Sequence, residues 1–116
     1  MLKYRTTIWN RLLLMDFEEP YTWLNGYWTG VFLSGGKVTE EIEVLKAVIG
    51  GTLPRADRGL NDYVVDVGPE ITRIEVLYDP IRVYEVPTRW LLAALEDYLD
   101  IRTALRKSGE LRPAPT

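Results

Sequence analysis

The 116-residue chain contains no cysteine and no histidine. The first absence excludes disulfides and thiolate chemistry; the second removes the usual acid–base group of neutral pH and the commonest metal ligand. Zinc would have to be held by carboxylates alone, which argues against a zinc site, and no other metal or cofactor signature is present. Long apolar runs are missing too. Leu12 to Met15 is the longest near the N-terminus, too short for a signal-peptide core, and nothing approaches the roughly 20 apolar residues of a membrane span. These features point to a soluble cytoplasmic protein with no membrane contact.

What is present is a globular composition, 47% apolar and 27% charged, long enough for one domain over residues 1–116. Only the stretch from Lys107 onward, with Ser108, Gly109, Pro113 and Pro115, reads as a fraying tail. The net charge of −3 is unevenly spread. Residues 1–15 carry Lys3, Arg5 and Arg11 and no acid, and residues 101–116 carry Arg102, Arg106, Lys107 and Arg112 against Glu110. The body between them has 16 acids and 7 bases. An acidic body argues against direct nucleic-acid binding and favours a cationic protein partner.

Tyr21 to Leu33 contains Asn25-Gly26 between aromatic and β-branched residues, a strong cue for a hairpin with a type I′ turn. In that register Leu24 faces Tyr27 and Trp23 pairs with Trp28 across the strands, the second strand ending at Ser34-Gly35-Gly36. A short amphipathic helix follows. Thr39 is its N-cap, Glu40 and Glu41 lie in its first turn, Ile42, Leu45, Val48 and Ile49 form its apolar face, and Gly50-Gly51 ends it. Thr52 to Asn61 reads as a loop carrying Arg55, Asp57 and Arg58.

A three-stranded meander comes next, over Asp62–Val67, Ile71–Tyr78 and Ile81–Val86, separated by Gly68-Pro69 and Asp79-Pro80. In its middle strand Thr72, Ile74, Val76 and Tyr78 share the core face, and Ile71, Arg73, Glu75 and Leu77 share the wetter one. Thr88 then caps a long helix whose stripe is Leu91, Ala94, Leu95, Tyr98, Ile101 and Leu105, with Gly109 beyond its end. Trp28 and Trp90 belong to the core on this reading. Residues 3–17 begin extended and are otherwise ambiguous between strand and helix. The fold class is therefore α+β, an antiparallel sheet of about five strands (hairpin plus meander) with two helices packed on it.

No catalytic constellation is visible, and the chain reads as a non-enzyme. Asp62 and Asp66 are both at even positions of one strand, but about 13 Å apart, too far for a glycosidase pair. Gly35-Gly36-Lys37 and Gly50-Gly51-Thr52 lack the spacing of a phosphate loop. The acidic run Asp16, Glu18, Glu19, followed by Tyr21 and Trp23, makes a hot spot for a basic partner, with Asp57 and Asp62 as secondary contacts.

Asp66-Val67-Gly68-Pro69-Glu70-Ile71-Thr72-Arg73, then Leu77-Tyr78-Asp79-Pro80 and Pro87-Thr88 before the Leu-rich helix, resemble immunity proteins of contact-dependent growth inhibition and related polymorphic toxin systems. The resemblance implies a cytoplasmic α+β protein that neutralises one cognate toxin domain, often a nuclease, by occluding its active site or substrate entry. The alternative is a carbohydrate- or ligand-binding module with Trp23, Tyr27 and Trp28 on an exposed platform. A nucleic-acid binder would require the two basic ends to meet in one patch, and an enzyme would require a carboxylate displaced toward neutrality.

Overall fold

The computed structural model describes residues 1–33, 37–78 and 80–114. The expected strand end at Ser34–Gly36, Asp79 of the meander turn, and the last two residues of the tail lie outside the described residues. The architecture is α+β with antiparallel pairing throughout, in two sheets of two and four strands with three helices among the described residues.

The ambiguous N-terminal stretch forms β1 (Tyr4–Trp9) and β2 (Leu12–Phe17), paired from Tyr4↔Phe17 to Trp9↔Leu12. Their two-residue turn, Asn10-Arg11, has positive φ at both positions (52° and 61°), the geometry of a type I′ turn. Alternation buries Leu13, Met15 and Phe17, while β1 is exposed along most of its length.

The hairpin expected around Asn25-Gly26 is instead helix α1 (Leu24–Val31). Leu24, Tyr27, Trp28 and Val31 recur at i, i+3, i+4 and i+7, and all four are buried. In a strand the neighbours Tyr27 and Trp28 would face opposite sides; on the helix both enter the core, at 0% and 2% exposure. Trp28 packs against Phe17 (ring centroids 4.9 Å apart), Phe32 (5.2 Å) and Tyr98 (5.8 Å), not against Trp23.

Helix α2 (Val38–Ile49) ends as expected at Gly50, with Gly51 at φ +84°, and its N-cap is Lys37 and not Thr39. The anticipated loop contains an additional strand, β3 (Ala56–Leu60), paired with β4 (Tyr63–Val67) through Ala56↔Val67 to Leu60↔Tyr63. β5 (Ile71–Val76) and β6 (Arg82–Pro87) complete the meander, giving the order β3-β4-β5-β6. The single five-stranded sheet is thus replaced by a four-stranded one plus a separate hairpin. On β5, Thr72 and Ile74 are buried while Ile71 and Arg73 are exposed, as alternation requires. β5 ends at Val76, so Tyr78 leaves the expected core face and is 56% exposed.

Helix α3 (Thr88–Lys107) buries Leu91, Ala94, Leu95 and Tyr98. Thr88 does not cap it. Its buried hydroxyl donates to the Gly68 carbonyl (2.7 Å) and meets the Thr72 hydroxyl (2.8 Å), tying the start of α3 to the β4–β5 turn. At that turn a Cβ on Gly68 would lie 2.8 Å from the Ile71 carbonyl oxygen, so the close approach requires glycine. The far end of α3 closes with Gly109 at φ +80° and the hydrogen bonds Gly109 N–H to Arg106 O and Glu110 N–H to Leu105 O, the two-bond pattern of a Schellman motif.

The following segment does not fray. Leu111 is buried in the core, and the Arg112 N–H donates to the Arg11 carbonyl (2.9 Å). No helix among the described residues is long and apolar enough to cross a membrane.

Candidate partner-binding cleft

Gly26 and Gly30 are four residues apart and therefore share one side of α1. With no side chains there, the helix backbone comes close to Tyr63 of β4: a Cβ on Gly26 would stand 3.4 Å from the Tyr63 hydroxyl, and one on Gly30 3.3 Å from its ring. The Tyr63 ring also meets Tyr27 edge-on, with centroids 5.3 Å apart. Beside this seam lies a cleft of about 830 Å³ lined by Asn25, Gly26, Thr29, Gly30, Asn61, Asp62, Tyr63 and Tyr78.

The two-residue turn between β3 and β4 supplies one wall. Asn61, at φ 55°, donates from its amide to the Gly30 carbonyl, locking the turn onto α1. Asp62 accepts a hydrogen bond from the Tyr78 hydroxyl (2.7 Å), and this bond with the adjacent negative charge raises the Tyr78 phenol above its ordinary pKa. On the other side Asn25 accepts from the Phe17 N–H (2.7 Å) and donates to Asp16 (3.2 Å), so Asp16 stands immediately behind the cleft's rim. None of the eight lining residues is basic.

A second polar assembly joins β3 to α2. Arg58 of β3 forms an ion pair with Glu41 of α2, whose side chain is only 1% exposed. Burial pushes the Tyr27 phenol well up, opposed in part by the nearby Arg58 charge. Arg58 therefore lies on a strand and pairs inside the protein, and not in the loop expected over Thr52 to Asn61.

The seven expected contact residues are divided by the fold. Asp62 lines the main cleft, and Asp16 stands behind its rim, bonded to Asn25 and paired with Arg5 (3.6 Å). Glu18, Glu19 and Tyr21 line a smaller one of about 430 Å³ with Met1, Lys3, Pro20 and Trp90. Tyr21 meets Trp90 edge-on at 6.1 Å, and Trp90 is half-buried where a core position was expected. Trp23 stacks flat on Tyr84 of β6, 4.7 Å between centroids and 7° between planes. Asp57 lies on the outer face of the four-stranded sheet, opposite Asp66. Asp66 takes two hydrogen bonds from Arg55 (3.0 and 2.6 Å), which hold its carboxyl below the usual carboxylate range. Asp62 is in a turn, not on the strand with Asp66.

Asn25, Thr29, Asn61, Tyr63 and Tyr78 were not singled out as contacts. The i, i+4 spacing of Gly26 and Gly30 was the available signal, since it marks a helix face meant for close approach; read as a turn, it concealed the cleft. Among the described residues no group of three or more acids is placed to hold a metal ion. Compared with protein-family models, curated proteins and solved structures, the chain matches none.

Proposed function

We propose that the protein is a stoichiometric binding protein that receives a cationic segment of a partner protein in the cleft between α1 and the β3–β4 turn. The observation that carries this reading is the cleft's chemistry: Asp62 in its lining, Tyr63 and Tyr78 as walls, no basic residue among the lining residues, and Asp16 behind the rim, bonded to Asn25 and paired with Arg5 (3.6 Å). A lysine or arginine entering there meets the Asp62 carboxylate and gains aromatic contact, and the acidic stretch Asp16, Glu18, Glu19 extends the same potential beyond the rim. The narrower form of the proposal follows the resemblance in the meander: the partner is a toxin domain, and binding neutralises it by covering its active site or substrate entry.

Support also comes from the rings required by the carbohydrate-module alternative. Tyr27 and Trp28 are in the core and Trp23 is covered by Tyr84, so those rings form no exposed platform.

The test uses the chain as bait in its native host, then measures association of the purified partner with the wild type and with Asp62→Lys and Asp16→Lys. The expected partner is basic, binds one to one and loses its activity on binding; each reversal slows association and flattens its salt dependence. An anionic partner, association unchanged by both reversals, or many product molecules formed per copy of this chain would overturn the proposal.

A further inference from the structure

The two basic ends of the sequence meet. The Asn10-Arg11 turn of the β1–β2 hairpin is clasped by the segment after α3: Arg11 Nη2 donates to the Gly109 carbonyl (3.1 Å), Arg112 Nε to the Asn10 carbonyl (3.1 Å), and Arg106 Nε to the Arg112 carbonyl (3.2 Å). Each guanidinium is thereby fixed through one nitrogen to the backbone, which leaves the rest of its five-donor fork for other acceptors. The ion pairs among the described residues involve none of Arg11, Arg106 and Arg112. Glu110, the acid within this segment, accepts from the Ser108 hydroxyl (2.8 Å). Arg106 is held below its ordinary pKa by partial burial and by the charge of Arg102 one turn away.

Two residues before Arg11 stands the most exposed tryptophan of the described residues. Trp9 precedes the Asn10-Arg11 turn, is 60% exposed, and faces Leu12 across the hairpin. A large ring left in water where the strand enters the clasped Asn10-Arg11 turn is poorly explained by packing.

We propose that this end of the molecule binds single-stranded nucleic acid, with Arg11, Arg106 and Arg112 on consecutive phosphates and Trp9 stacking on a base. Guanidinium forks match phosphate oxygens in geometry, and aromatic stacking accepts any base, so a short, sequence-tolerant footprint results. The site is separate from the acidic cleft and stands independently of the function proposed for it.

The test is fluorescence anisotropy of labelled 12-nucleotide oligouridylate and oligothymidylate strands titrated with the full chain. Three neutralised phosphates give a slope of log affinity against log salt of about −2, so binding weakens about 20-fold between 50 and 200 mM salt. Arg112→Gln is expected to make the slope shallower by about 0.7, and Trp9→Ala, a surface change that leaves the core intact, to weaken binding by roughly fivefold or more. Asp62→Lys, at the other site, is not expected to reduce it. Absence of saturable binding at 50 mM salt, or binding indifferent to both Trp9→Ala and Arg112→Gln, would overturn the proposal. Equal affinity for polyglutamate or for vesicles of anionic phospholipid would overturn it as well, and so would head-to-tail self-association, seen by sedimentation, that the Arg112 variant abolishes.

Discussion

The ion pair between Arg58 and Glu41 offers a sharp test of how the sheet is joined to α2. Glu41 is almost completely sealed, whereas Arg58 keeps 28% of its side chain accessible. The two partners are therefore not equivalent. Replacing Arg58 by methionine strands a carboxylate in a dry site, which costs about 3–5 kcal/mol, a large part of the 5–15 kcal/mol that holds a typical domain together. Replacing Glu41 by glutamine keeps an amide oxygen as acceptor for the Arg58 guanidinium, whose Nε and Nη2 are buried, and the expected cost is about 1–3 kcal/mol. The double replacement, Glu41→Leu with Arg58→Met, removes both charges and should return to within about 1–2 kcal/mol of the wild type.

The Arg58→Met variant also acquires a pH signature. Burial without a partner raises the folded-state pKa of Glu41 above the value of about 4.3 in the unfolded chain. Stability is then fully present below that unfolded value and lost as pH rises through the folded one, so the deficit relative to wild type shrinks on going from pH 7 to pH 5. Urea unfolding followed by tryptophan fluorescence at both pH values measures all of this. Equal costs for the two single replacements, or a deficit in Arg58→Met that does not change with pH, would refute the reasoning.

Further outcomes follow from the same contacts. Gly26→Ala should stabilise α1 by up to about 1 kcal/mol, because helix propensity improves and the new methyl meets only the Tyr63 hydroxyl at 3.4 Å. Gly30→Ala should gain less, since its methyl meets the ring at 3.3 Å; thermal unfolding ranks the two. Asp62→Asn weakens the hydrogen bond and removes the negative charge that together hold the Tyr78 phenol up, so that tyrosine should titrate at a lower pH than in the wild type in an ultraviolet phenolate titration. Leu111→Ala should cost about 2–3 kcal/mol and accelerate amide exchange at Arg112, whose N–H is anchored on Arg11.

Which parts of this architecture were legible in the sequence depends on whether one local signal acted alone. In α2, in the meander strands and in α3 a single period runs between unambiguous breakers, and the elements appear close to where they were expected. The Tyr21–Leu33 stretch carried two opposed signals. Asn25-Gly26 favours a turn, while Leu24, Tyr27, Trp28 and Val31 have helical spacing, and the conflict is decided outside the segment. Only the helix buries Tyr27 and Trp28 together, each ring contributing about 1.5–3 kcal/mol by removal from water, and its glycine face brings the backbone close to Tyr63. A turn preference worth less than that yields. β3 was hidden for the complementary reason: Asp57, Arg58 and Gly59 have little strand preference of their own, and the strand exists because β4 supplies the pairing and Glu41 a partner for Arg58.

The candidate site follows the same rule. Its charges were visible as residue types, and Asp16 and Asp62 were named. Their placement rests on Asn25 reaching back to Asp16 and on Asn61 locking the β3–β4 turn onto α1. Contacts between residues 9 and 31 positions apart have no local pattern. A cleft of this kind is therefore a property of docked elements, and disturbing the docking at Asn61 should disperse the acidic surface without removing a single acid.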